Sequence, residues 1–183
     1  MCRRFTLTTQ RKTAFSALKG YEGGFCEETI VPKRRALCLR KEEGSYSIFY
    51  PSFGYPLFEK EVVNARIETI EEKSLFRDDY RNRRLLVPVS GFFEYDKEKK
   101  LHYFTEEKNK LFYLAGIYHN NNFVILTEKP SLLVYACHPR RPRCFAKKDK
   151  DLFLSLTKNK EDWLGREKVT LVDHNQEQLS LFQ

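Results

Sequence analysis

The stretch from Leu85 to Cys137 reads LLVPVSGFFEYDKEKKLHYFTEEKNKLFYLAGIYHNNNFVILTEKPSLLVYAC. It is a series of short runs rich in aromatic and β-branched residues: Leu85–Val89, Gly91–Tyr95, Leu101–Thr105, Leu111–Tyr118, Phe123–Thr127 and Leu132–Cys137. Polar turns at Lys97–Lys100, Glu106–Lys110, His119–Asn122 and Glu128–Ser131 separate them. Such runs are strands, and turns this short leave no room for crossover helices. The stretch therefore predicts an antiparallel meander, strongly curled or closed into a barrel-like sheet.

On the N-terminal side, Phe5-Thr6-Leu7 alternates as a strand. Thr8 or Thr9 caps a helix bearing Ala14, Phe15 and Leu18 on one face, and Gly20 stops it. Residues 20–33 read as loop. Ala36–Arg40 and Tyr46–Tyr50 make a hairpin turning at Glu42–Ser45. Pro51–Glu61, with Gly54, Pro56 and aromatic residues, reads as a loop. Glu71–Tyr80 reads as a helix with acids first and arginines at its end. Beyond the meander, Pro139 and Pro142 bar His138–Pro142 from helix or central strand. Asp149–Leu156 and Lys160–Leu164 read as short helices and Val169–Val172 as a late strand. The expected fold is α+β: a single compact domain over 2–172 with a few short helices, followed by a tail at 173–183.

With 183 residues, 41% of them apolar, including 15 Phe and 10 Tyr, the chain can bury a real core. Its 33 basic and 25 acidic residues give +8, which suits a polyanionic partner, nucleic acid first, or simply a basic soluble protein. Cysteines at 2, 26, 38, 137 and 144 form no C-x-x-C pair, and His102, His119, His138 and His174 show no paired ligand spacing. A disulfide framework and a closed zinc site are not expected, and no metal or cofactor is implied. There is no signal-peptide pattern and no apolar run long enough to span a bilayer, so a cytoplasmic, nucleoid- or replication-associated protein is expected; a monomer is expected as well.

Several residues can carry chemistry. If Met1 is removed, Cys2 presents an amine and a thiol on adjacent carbons; taken alone, a cysteine at position 2 is equally readable as an accident of sequence. The amine can condense with an aldehyde, and the thiol can close a thiazolidine on the resulting imine. In free peptides the two groups titrate near ~8 and ~8.5, so reactive forms of both exist at neutral pH. Glu94 lies in an aromatic strand, Gly91-Phe92-Phe93-Glu94-Tyr95. Desolvation there would raise its pKa and suit it to acid/base work; a solvent-facing glutamate is the alternative. His138 can move protons near neutral pH, or can simply cap a strand end. Asn64 and Arg66 project to one side of an extended segment, where an amide can orient a reacting group and a guanidinium can hold phosphate. Basic clusters at Lys33–Arg35, Arg81–Arg84, Arg140–Arg143 and Lys147–Lys150, with Tyr50, Phe53, Tyr55 and Phe58 nearby, suit a single-strand groove or merely solvated faces.

These parts occur in an order that resembles the SRAP (SOS-response-associated peptidase) family, whose members shield abasic sites in single-stranded DNA. The resemblance rests on Met1-Cys2-x-Arg4-Phe5, Asn64-Ala65-Arg66-x-Glu68-Thr69, Pro88-x-Ser90-Gly91-Phe92-Phe93-Glu94-Tyr95, Leu126-Thr127 and His138-Pro139-Arg140-x-Pro142. It implies a covalent DNA–protein crosslink through Cys2. Glu94 would be the acid/base for sugar ring opening, Asn64 would hold the opened sugar, and His138 would assist proton transfer. The resemblance also implies DNA contacts from Arg4, Arg66, Arg140 and Thr127, with Pro32 beside the DNA and Leu57 or Phe58 as a wedge. Arg84, in a basic cluster, is added to these contacts.

The chain departs from the family pattern in having Arg3 where glycine is usual, Arg141 where methionine is usual, and no tryptophan before Asn64. At the C-terminus, Gln178-Leu179-Ser180-Leu181-Phe182 looks like a bacterial sliding-clamp-binding peptide on a polar tether from Asp173; packing as a last strand is the alternative. Two other functions fit the same residues. One is a cysteine hydrolase or self-processing peptidase using Cys2 and His138. The other is a non-covalent single-strand binding module.

Overall fold

The computed structural model describes residues 2–23, 28–58, 60–129, 138–164 and 169–175. In chain order these hold β1 (Arg4–Thr6), α1 (Thr9–Lys12), β2 (Thr29–Ile30), β3 (Cys38–Glu42), β4 (Ser45–Phe49), β5 (Ser52–Phe53), β6 (Tyr55–Leu57), β7 (Lys60–Val62) and β8 (Asn64–Arg66). Then come α2 (Ser74–Asn82), β9 (Arg84–Val89), β10 (Gly91–Tyr95), β11 (Leu101–Glu106), β12 (Phe112–His119), β13 (Asn122–Glu128), β14 (Arg141–Pro142) and β15 (Cys144–Phe145). The last are α3 (Lys150–Leu154), α4 (Lys160–Trp163) and β16 (Leu171–Asn175).

The strands form a five-stranded sheet ordered β16-β11-β10-β1-β2 and a nine-stranded sheet built on the path β14-β13-β12-β9-β3-β4. Strands β6 and β7 pair separately as a hairpin. Neither large sheet closes on itself among the described residues, so the curled meander is open rather than barrel-like. It is also mixed, because β5 and β8 run parallel to β13.

Two apolar clusters explain the layering. Along β12, Tyr113, Ala115 and Ile117 enter one cluster while Phe112 and Leu114 enter the other. Along β13, Val124 and Leu126 separate from Phe123 and Ile125 in the same way. This is the period of two expected of strands buried on both faces. The first cluster lies against the helices through Phe76 and Tyr80 of α2, Phe153 and Leu154 of α3, and Trp163 of α4. The second joins the two sheets through Phe5, Phe92 and Phe104 on one side and Val87, Leu114 and Ile125 on the other. The chain passes between sheets at Ser90, where β9 ends in the larger sheet and β10 begins in the smaller.

Three local expectations change. Pro51–Glu61 is not loop: it carries β5, β6 and the start of β7, because Phe53 is buried against Phe123 (5.1 Å between ring centroids) and Tyr55 is buried too. Helix α2 starts at Ser74, and Glu71 and Glu72 lie outside it in the turn that follows a 3-10 segment at Ile67–Thr69. Strand β16 reaches Asn175, so Asp173 and His174 are strand residues. The strand expected at Leu132–Cys137 and the segment Gln178–Phe182 lie outside the described residues.

Candidate active site

The site forms where the start of β1 in the smaller sheet meets β8 of the larger one. Strand β1 pairs with β10 in the register Arg4↔Phe93, Phe5↔Phe92, Thr6↔Gly91. Arg3 and Cys2 lie just before the start of this strand. Cys2 is fully buried in the cluster between the sheets. From the larger sheet, β8 lies along β13 in the register Asn64↔Ile125, Ala65↔Leu126, Arg66↔Thr127. Ala65 turns into the core, which leaves Asn64 and Arg66 on the other side. Asn64 Nδ2 donates to the Cys2 carbonyl oxygen at 2.8 Å and so ties the two sheets together. Asn64 Oδ1 is buried and accepts no hydrogen bond among the described residues.

Glu94 shares the inward face of β10 with Phe92 and is 3% exposed. Burial raises its carboxyl to about 7, although the terminal ammonium pulls the other way. The solvent-facing alternative is therefore excluded. Cys2 is affected likewise. Burial, reinforced by the charge of Glu94, pushes its thiol well above the ordinary range, so the thiolate expected from peptide values is not populated at neutral pH.

His138 is half-buried, with Nδ1 2.9 Å from the Arg140 carbonyl oxygen and 3.1 Å from the Arg140 nitrogen. Burial lowers its pKa, which keeps the ring neutral near pH 7. Like Glu94, it feels the charge of the terminal ammonium. The four residues expected to do chemistry thus converge on the chain's amino end.

The expected DNA contacts divide. Arg66 is exposed and Arg4 half-buried, its guanidinium 5.5 Å from the Phe93 ring centroid. Arg3, Arg4, Pro32, Phe93, Glu94 and Tyr95 line a crevice of about 240 Å³. Phe58, 101% exposed, caps the β6–β7 hairpin beside Leu57, at 38%. Its φ of 50° is a conformation that bulky residues avoid at a cost of roughly 1–2 kcal/mol. Neither its exposure nor its backbone helps the fold, which suits a side chain kept for contact.

Two expected contacts are corrected. Arg84 is buried: it donates to the carbonyl oxygens of Tyr80 (2.8 Å) and Lys158 (2.9 Å) and lies over the Tyr80 ring. It joins β9 to α2 and the segment after α3, and cannot reach a phosphate. Thr127 is fully buried as well. Its hydroxyl and carbonyl oxygens accept from Arg140, at 3.1 and 2.7 Å, so it positions that arginine instead of touching DNA.

Sequence reasoning missed two partners. Glu68 accepts from Arg140 Nη2 at 2.6 Å. Burial alone would raise this carboxyl, but the hydrogen bond and charge of Arg140 hold it below the usual range. Its place in the Asn64-Ala65-Arg66-Ile67-Glu68 segment was the available signal. The second is Glu128, buried between Arg141 (2.6 Å) and Arg143 (3.2 Å). That triad explains Arg141: it anchors β14, and with it the histidine-bearing loop, to β13. Arg3 is also resolved. Positive φ occurs at Lys33, Glu43, Phe58, Lys99, Asn109 and Asn120 among the described non-glycine residues, and not at Arg3. The backbone beside Cys2 does not require glycine.

The chain matches the family model for SOS response associated peptidase (SRAP) over residues 1–182. The abasic site processing protein YobE of Bacillus subtilis (strain 168) is 30% identical over 117 residues, 57% of this chain and 49% of that protein. Its relative YoqW, an abasic site processing protein from the same organism, is 28% identical over 117 residues, with 48% of its length covered. The chain thus spans about half the length of the curated relatives it matches. A Bordetella bronchiseptica protein of known crystal structure superposes with a TM-score of 0.79 at 15% identity, covering 95% of this chain and 99% of that one. One from Bacteroides thetaiotaomicron superposes at 0.75 with 16% identity, over 95% and 91%. These two likenesses show the fold.

Proposed function

Because the chain belongs to the SOS response associated peptidase family, we propose that it handles abasic sites in single-stranded DNA by linking an N-terminal Cys2 to the lesion. The observation that carries this reading is the junction of Cys2 with Asn64 and Glu94: one bonds its carbonyl at 2.8 Å and the other bears on its thiol. The names of the two Bacillus relatives support the same substrate.

Removal of Met1 turns the Cys2 nitrogen from an amide into an amine. The amine adds to the C1′ aldehyde of the ring-opened sugar, and loss of water gives an imine. The thiol then adds across the imine: a C–S bond forms, the sulfur proton goes to nitrogen, and a five-membered thiazolidine closes. Both partners sit on one residue, so closure has the advantage of an intramolecular reaction.

Glu94 titrates near neutrality, so it can give a proton to the departing oxygen and take one from the thiol. The raised thiol pKa makes that second task necessary. Asn64 Nδ2 fixes the Cys2 carbonyl, while its Oδ1 is an acceptor suited to a sugar hydroxyl. Neutral His138 relays protons during imine formation and crosslink reversal. Arg4, Arg66 and Arg140 hold phosphates, Pro32 lies beside the strand, and Phe58 with Leu57 wedges against bases.

The test is the intact mass of the purified protein before and after incubation with a single-stranded oligonucleotide containing one abasic site. The expected masses are those of a chain lacking Met1 and of a heat-stable adduct equal to protein plus DNA less one water. If Cys2→Ala, or a chain that keeps Met1, forms the same adduct, the mechanism is wrong.

A further inference from the structure

The outward face of the five-stranded sheet carries a feature that the chemistry at Cys2 does not use. Its registers set Arg4 opposite Phe93, Phe93 opposite Tyr103 and Tyr103 opposite His174. Residues directly opposed in antiparallel strands share a face, so these four form one row across β1, β10, β11 and β16. The contacts are continuous. Arg4 lies 5.5 Å from the Phe93 centroid, Phe93 lies 4.6 Å from Tyr103, and Tyr103 lies 6.2 Å from His174. All four side chains are half-buried. The core is closed by the opposite face, through Phe5, Phe92 and Phe104.

The row is held in place and connects two hollows. The Tyr103 ring lies over Gly91, where an added Cβ would come within 2.5 Å of it, and its hydroxyl is 2.8 Å from Thr6 Oγ1. One end of the row opens into the crevice beside Glu94. The other borders a cavity of about 480 Å³ lined by Thr8, Arg11, Tyr103, His174 and two carboxylates, Glu106 and Glu107, among others; Glu106 is taken up by the backbone nitrogens of Lys108 and Lys110. Arg11 is fixed there by Asn109 Oδ1 at 2.9 Å, and its Nη1 is buried without a hydrogen-bond partner among the described residues.

We propose that this row is a stacking platform for bases of the DNA strand leaving the lesion, and that the cavity at its far end takes one nucleotide with a phosphate against Arg11. The direction of travel rests on the function proposed above. Four strands span roughly 14 Å, enough for a few bases. Rings presented on a sheet face bind bases regardless of sequence, while a peptide strand would add along a sheet edge. The net charge of +8 favours the same partner.

The experiment uses the full chain and fluorescent oligothymidylate without a lesion. Tyr103→Leu should weaken binding about tenfold, and Tyr103→Phe, which keeps the ring, should stay within twofold of the parent. An oligonucleotide carrying 5-iodouracil, irradiated with the unaltered protein, should give adducts at Phe93 or Tyr103; this arm does not depend on a variant folding. Equal binding by Tyr103→Leu, or photoadducts confined to other residues, overturns the platform. Cys2→Ala separates the two ideas. If it binds oligothymidylate in a Tyr103-dependent way while the parent captures no abasic DNA, the platform stands and the covalent function fails. If capture occurs and Tyr103 is immaterial, the reverse holds.

Discussion

Replacing Glu94 with glutamine should make the protein more stable and less active, and the gain should depend on pH. The ordinary carboxyl value is 4.5 and the buried group titrates at about 7. At 1.36 kcal/mol per pH unit, that gap corresponds to ~3 kcal/mol of preference for the neutral form. The sign follows from linkage. A folded-state pKa raised above the unfolded value means that the native state binds the proton more tightly. The associated stability is complete below pH 4.5 and is lost as pH rises through about 7. A glutamine has no proton to lose. Glu94→Gln and the parent should therefore have similar stability near pH 4, and the variant should lead by up to ~3 kcal/mol at pH 8. The assay is urea unfolding of both proteins in matched buffers across that range, with the slope checked for constancy. Cys2 and the terminal amine bear on Glu94 in both proteins, so the difference isolates the carboxyl. Parallel stability curves would refute the buried, proton-holding Glu94. Crosslinking rates give a second readout, because the parent's inflection near pH 7 should vanish in the variant.

Phe58→Ser should leave stability within about 0.5 kcal/mol, since the ring is fully exposed, yet weaken single-strand binding about tenfold; unfolding and fluorescence polarisation measure the two effects. Arg140→Ala should lower DNA affinity and reduce the slope of log affinity against log salt by about one, in a salt titration. Arg141→Met should cost ~2 kcal/mol in urea unfolding, below the usual penalty for breaking a buried ion pair, because Arg143 still faces Glu128. The proposal that Gln178, Leu179, Leu181 and Phe182 engage a bacterial sliding clamp predicts that deleting the last six residues abolishes clamp binding in a pull-down with purified clamp; undiminished binding would remove that proposal.

Alternation and turn chemistry located the strands from Leu85 to Thr127 because each is short, apolar and bounded by polar turns. The same local signal could not show that Val89 and Gly91 belong to different sheets, since both runs are apolar and the parting depends on distant partners. Nor could it show β5 and β8 lying parallel to β13, a pairing across more than fifty intervening residues of other structure. At the site, the motifs brought Cys2, Asn64, Glu94 and His138 forward together, but the aromatic strand left Glu94 either buried or solvent-facing, because alternation alone does not say which face a second sheet covers. Arg84 and Thr127 misled for one reason. A cation or hydroxyl beside an apolar run looks the same whether it points to solvent or is satisfied by buried carbonyls. Glu68 stood inside the Asn64–Thr69 motif, but nothing local tied it to Arg140, and Glu128 was missed because Arg141 and Arg143 meet it only once β14 pairs with β13.

The pairing of β1 with β10 also sets a clock on maturation. Cys2 emerges during synthesis long before Phe93, its neighbour's partner, exists. At roughly 5–20 residues per second, the interval is on the order of 5–20 s. Through that interval the amino end has no strand to zip against and no buried pocket to enter. If Met1 is trimmed, as the proposed function requires, an aminopeptidase meets an unpaired amino end then, before Cys2 is buried. On the proposed function, trimming of Met1 therefore competes with folding of the nascent chain.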